Sequence, residues 1–442
     1  MAVSPFDGPP ASGLYGDPEI AGLFSASAEI RAMLLVEGAL ATAQGALGII
    51  PETAAHAIAR ASREVAIDPA DLADGMAGSG VPVAALVKAF RRALAPEHGA
   101  WLHWGATSQD IVDTGLVLRL RRVAGILDAR LDGLTARLAG QATRHRTTVI
   151  AARTRFQIAT PTTLGAKIAV WGLPLLRHRQ RLAELSPRLL RVSLAGASGN
   201  NAALRGRGDE VMRAVAAELD LGPSDVPWHA ARDSVAEFGS WLSLVTGSLG
   251  KIGQDLILLG QSEVGELTAG AGGGSSTMPH KANPVAAEAL VTLARLNAGT
   301  LGTLHQALVA AQERDGVSMG LEWFALPSMC AAAGAATRLA LTMAEGLAVH
   351  PDRIAATFAA DRGRMLGEAA VFALAERMPR PEAQALVSEA VRTLGDRTLA
   401  AALTQAVPEI DWSATLDPAR LTGDAAALAD ALGAAADHWV HR

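Results

Sequence analysis

Cysteine is almost missing from this 442-residue chain. Cys330 stands alone, which excludes an internal disulfide and a cysteine-rich metal cluster and suits a reducing compartment. Tyrosine is as scarce, with only Tyr15, and aromatic residues reach just 4%, a poor supply for sheets. Basic residues are not in excess. With 39 Lys+Arg against 44 Asp+Glu, the net charge of −5 offers neither a nucleic-acid surface nor a polybasic membrane anchor. No stretch of about 18 uninterrupted apolar residues occurs, so no membrane span is expected. The opening MAVSPFDGPP has neither the basic start nor the apolar run of a signal peptide. A soluble protein of the cytoplasm is the expectation.

What is abundant points to helices. Half of the residues are hydrophobic, with Ala and Leu dominant, and these pack well as close helices. At about 100–200 residues per domain, the length suits two to four domains. Short helical patterns broken by Gly and Pro fill the first hundred residues, one of them from Ile30 to Ile50 before Pro51. Beyond His103 the pattern lengthens. Val112, Leu116, Leu120, Val123, Leu127, Leu131, Leu134 and Leu138 recur every three or four residues, one face of a helix about 40 Å long. Thr107 followed by Asp110 starts it in the manner of a capping box. Phe238, Leu242, Val245, Leu249, Ile252, Leu256 and Leu259 form a stricter heptad stripe, expected to be buried among helices of several subunits. Further long helices are expected over Val285–Leu308 and Pro327–Leu347, and a small helical domain from Pro351. No repeat of 30–45 residues supports a solenoid; a bundle that also buries surface between subunits fits better.

Four segments carry candidate chemistry. In TAGAGGGSSTMPHKANP (Thr268 to Pro284), four glycines precede Ser275, Ser276, Thr277, His280, Lys281 and Asn283. Such a glycine hinge with dense donors suits a loop closing over an anionic ligand, although a flexible linker has the same composition. The second segment, His103 to Asp110 (HWGATSQD), sets Thr107 and Ser108 at a helix N-terminus, where backbone N–H groups favour a carboxylate. Ordinary capping would also explain it. In the third, Arg153 and Arg155 precede Gln157 and what reads as a Pro161-led helix; they would bind an anion or simply be solvated. The fourth holds Arg314, an anion ligand or half of a surface ion pair.

Together these segments resemble the fumarase/aspartase superfamily over essentially the whole chain, with GSSTMPHKANP as the most specific match. Within it, HWGATSQD, TPTTLGAK and PWHAARD look most like the 3-carboxy-cis,cis-muconate cycloisomerases. The resemblance implies an all-α, three-domain fold with a central long-helix bundle, divided at 1–106, 107–350 and 351–442. It implies a homotetramer whose active sites are shared between subunits. It also implies a small polycarboxylate substrate, and no cofactor, metal, nucleic-acid or membrane partner.

The resemblance also assigns roles. Ser275 is the general acid/base, assisted by Lys281, with His103 orienting or protonating nearby. Thr107, Ser108, Arg155, Gln157, Ser276, Asn283 and Arg314 bind substrate. A substrate carboxylate would attack its own double bond to close a γ-lactone while Ser275 delivers the proton. The alternative is a lyase that eliminates a group from a substituted succinate to give fumarate. Two departures stand out. Arg155 occupies a place where many lyases have His and the cycloisomerases often have Trp, and Ala282 replaces a bulkier or basic residue.

Overall fold

The computed structural model describes residues 4–6, 8, 10–270, 273–274 and 277–440. Ser275 and Ser276 lie outside the described residues. Helices dominate. The main ones are α1 (Ala26–Ala46), α2 (Ser108–Arg144), α3 (Leu164–Leu189), α4 (Asp233–Leu259), α5 (Val285–Gln306) and α6 (Gly316–Glu345). The chain separates into two compact units. One comprises Met1–Arg130, His178–Gly247 and Thr292–Arg338; the other comprises Leu131–Arg177, Ser248–Val291 and Leu339–Arg442.

The long stripes do what their spacing demands. Every one of the eight apolar residues from Val112 to Leu138 on α2 is at most 8% exposed. The α4 stripe is buried as well, from Phe238 at 0% to Leu259 at 4%. That corrects the expectation that other subunits cover it: the chain's own side chains already do. By length and composition alone, α4 and α6 could cross a membrane, but 50% and 72% of their apolar windows are buried within the chain.

Three helix boundaries differ from the pattern. The first long pattern ends at Ala46 rather than Ile50, because Gly48 takes a left-handed conformation (φ 66°) that breaks it before Pro51. Helix α6 starts at Gly316, not Pro327; the proline sits inside it, and the Ser328 hydroxyl donates to the Phe324 carbonyl nearby. Pro161 does not lead a helix. It lies in β2 (Gln157–Thr163), which pairs antiparallel with β1 (Val149–Thr154), and α3 begins only after Thr163, whose hydroxyl accepts from the Ala166 N–H.

Two smaller strand pairs organise the glycine-rich segment. Leu267–Ala269 (β3) pairs with Leu347–Val349, and Gly273–Gly274 (β4) pairs with Ala282–Asn283 (β5). At the base, the Gly270 N–H donates to the Gly346 carbonyl. A Cβ on Gly346 would stand 2.9 Å from the Gly270 Cα, so the two backbones meet where only glycine fits.

In the first unit, a buried charge cluster ties three elements together. Arg232 donates to both oxygens of Asp113 on α2 and both of Glu322 on α6, and it lies over the Trp228 ring at 4.8 Å. Burial opposes its charge, but the two carboxylates outweigh burial and hold the guanidinium above its ordinary range. Replacing it with Met would strand two buried carboxylates. R232M should lower unfolding free energy by about 3–5 kcal/mol, as measured by denaturant titration.

Candidate active site

The turn that carries the HWGATSQD segment is shaped by two left-handed residues, His103 (φ 64°) and Gly105 (φ 75°). Helix α1 pins it from behind. Gln44 donates to the Trp104 carbonyl at 2.7 Å, and Glu37, two helical turns earlier, holds His103 Nδ1 at 2.6 Å. From the other side Arg91 donates to the Gly99 and Leu102 carbonyls. Glu37 and Gln44 are each only 1% exposed, unusual for such side chains inside a helix.

Thr107 immediately precedes α2, and its N–H donates to Asp110 at 2.9 Å, the returning half of the capping box read from the sequence. Asp110 does more than cap. Its Oδ1 accepts from the Ala195 N–H and His229 Nε2, both at 2.8 Å, and its Oδ2 also accepts from the Gly196 N–H at 3.1 Å. Gln109 beside it donates to the His229 carbonyl. Arg314 donates to the Gly196 and Ala197 carbonyls of that same loop, so it meets backbone rather than an acidic partner. The structure thus brings His103, Thr107, Ser108 and Arg314 to one region of the first unit, where Asp110 is the shared anchor. Thr107 and Ser108 are half-buried, with neither hydroxyl bonded to another described residue. Hydroxyls at a helix N-terminus and a nearby imidazole are the kinds of donor that suit a carboxylate.

Burial, the largest influence on His103, works to lower its pKa. The charge and hydrogen bond of Glu37 and the charge of Asp110 outweigh it, against the opposing Arg91, so the imidazole titrates above its ordinary range. A raised folded value favours the folded protein below the unfolded histidine's range of about 6.5, and that contribution fades as pH climbs through the folded value.

The remaining candidates lie in the second unit, on two separate hairpins. Arg155 and Phe156 are the two central residues between β1 and β2, both left-handed (φ 48° and 67°), as a type I′ turn requires. Arg155 and Gln157 are exposed there. Arg153 is not available in the same way, since it forms a bidentate pair with Glu266 at 2.7 and 2.8 Å. On the other hairpin Lys281 is exposed, with its N–H on the Met278 carbonyl, and Asn283 is half-buried opposite Gly273.

Sequence reasoning missed Glu37, Gln44 and the anchoring part played by His229. The signal was present for the first two: a lone acid and a lone amide in the apolar run AMLLVEGALATAQGAL.

The chain belongs to the lyase family of the fumarase/aspartase superfamily, whose family model matches residues 15–297. It is 44% identical over 379 residues to a 3-carboxy-cis,cis-muconate cycloisomerase of Pseudomonas aeruginosa, covering 84% of this chain and 82% of that one. A nitrosuccinate lyase of Streptomyces davaonensis is 36% identical over 92% of this chain and 90% of its own. Among solved structures, the 3-carboxy-cis,cis-muconate lactonizing enzyme from Pseudomonas putida superposes with a TM-score of 0.91 at 37% identity, over 97% of this chain and 99% of that one. The architecture is therefore the all-α fumarase/aspartase-like fold expected from the sequence.

Asp110 offers a direct test of the site's framework. D110N would set an amide N–H₂ among four donors and remove the charge they share. It should cost about 3 kcal/mol of stability by thermal or chemical melt.

Proposed function

We propose that this chain catalyses the cycloisomerisation of 3-carboxy-cis,cis-muconate to a γ-lactone. The observation that carries this reading is the 44% identity to the Pseudomonas aeruginosa cycloisomerase across most of both chains. A polycarboxylate would suit the cations and helix N-terminus described above. One substrate carboxylate oxygen adds to the double bond, and the neighbouring carbon takes a proton. Charge builds on the carboxylate beside that carbon, so fixed donors aimed at its oxygens lower the barrier.

In this reading Ser275 transfers the proton. Lys281 and Asn283 hold the carboxylate that becomes dianionic; Thr107, Ser108 and His103 hold another, and Arg155, Gln157, Ser276 and Arg314 bind the rest. The second reading, elimination from a substituted succinate, is favoured by the likeness to the nitrosuccinate lyase. Loss of diene absorbance with 3-carboxy-cis,cis-muconate supports the first; fumarate release from a succinyl panel, without muconate turnover, would replace it with the second. S275A should lower kcat on the order of 10²–10⁴-fold with little change in KM, whereas K281A should raise KM as well. An active S275A beside an inactive S276A would reassign the serine.

The proposal extends to assembly: a cytoplasmic homotetramer of three-domain subunits, with segments from different subunits completing each site. Val170, Leu244, Leu296, Val317 and Phe324 stand exposed on the long helices, each 44% or more, and this supports it. L244D should therefore dissociate the oligomer in sedimentation while the subunit still folds. L249D, at a position that is 0% exposed, should unfold the subunit itself.

A further inference from the structure

Glu37 has a burial that its single partner does not explain. Its carboxylate is 1% exposed on α1, Oε1 meets His103 Nδ1 at 2.6 Å, and Oε2 has no hydrogen-bond partner among the described residues. A neutral imidazole would leave a buried carboxylate uncompensated, which is costly; a charged one compensates it. His103 is also held in a left-handed backbone conformation (φ 64°) that the surrounding contacts must enforce. Gln44, on the same face of α1, fixes the very next carbonyl, that of Trp104. With Nδ1 committed to Glu37, Nε2 is the nitrogen left for a ligand, and the ring retains 19% exposure. Two buried polar side chains of α1 thus hold the turn at His103 and Trp104.

We propose that Glu37 is a positioning residue that fixes the ring orientation and charge of His103, so that Nε2–H serves as a cationic donor to a substrate carboxylate at the start of α2. This rests on the function proposed above for the site. The charged groups bearing on the ring are Glu37 from α1, Asp110 from α2 and Arg91 from the helix Val83–Arg92. Among the described residues, only Glu37 bonds the ring. The direction of the His103 titration agrees with this arrangement. Glutamine at position 37 would keep the shape and lose the charge; aspartate would keep the charge on a shorter arm.

The test is a histidine-labelled NMR titration of the intact protein, with the His103 signal assigned by H103Q, beside pH profiles of kcat/KM for 3-carboxy-cis,cis-muconate. Wild-type His103 should titrate above about 6.5, and in E37Q its midpoint should fall by at least about one pH unit. The alkaline limb of kcat/KM should fall with it, making E37Q about tenfold slower between the two limbs. E37D should move both back toward wild type. The proposal is overturned if wild-type His103 titrates at or below about 6.5, a reading that needs no variant to fold. It is equally overturned if E37Q leaves the titration unmoved, or moves it without moving the limb. Should the wild type not turn over the muconate, the proposed function falls, and the titration alone then decides between a charged, Glu37-held His103 and an ordinary one.

Discussion

The carboxylate of Asp110 accepts four hydrogen bonds, three from backbone N–H groups and one from His229, at 2.8–3.1 Å. Its charge lets a buried helix start coexist with a buried loop, because each would otherwise leave N–H groups without partners. The start of α2 fixes Thr107 and Ser108. The loop at 195–197 supplies the carbonyls that Arg314 holds. Those placements share one anion, so the candidate carboxylate site of the first unit is a consequence of how one aspartate is satisfied.

Around this anchor the protein uses buried charge as a positioning device more than as a source of stability. The Arg232 cluster and the Glu37–His103 pair both lock side chains from different elements into one geometry. A buried ion pair often gains little over well-packed apolar residues. What it does provide is a single arrangement, since any other leaves a charge unpaired. Such fixed arrangements matter wherever charge must develop at a defined place.

Much of this was legible in the sequence. The 3–4 spacing from Val112 to Leu138 and the heptad from Phe238 to Leu259 gave the long helices, because periodicity reports burial directly. The Thr107–Asp110 cap and the SSTMPHKAN segment mark candidate chemistry in the sequence itself. Pro161 misled because a proline after Thr reads as a helix start, whereas an edge-compatible strand position also accommodates it. Pro327 misled in the opposite sense: packing along α6 overrode a local breaker. Which subunit covers the α4 stripe was not legible at all, since a heptad reports that a face is buried and not by whom. Likewise, Ala195 and Gly196 reach Asp110 across 85 residues, a pairing that no local pattern announces.

The Arg155–Phe156 turn bears on how this chain can be redesigned. Each residue carries a Cβ in a left-handed conformation that disfavours it by about 1–2 kcal/mol, and Phe156 is 81% exposed, so packing returns little. Asn-Gly suits such a turn far better. A search guided by thermal stability would therefore converge on that dipeptide and delete the candidate cation at position 155 in the same step. Heat tolerance and the proposed substrate contact are set against each other at this turn, and selection on melting temperature alone would be blind to the loss.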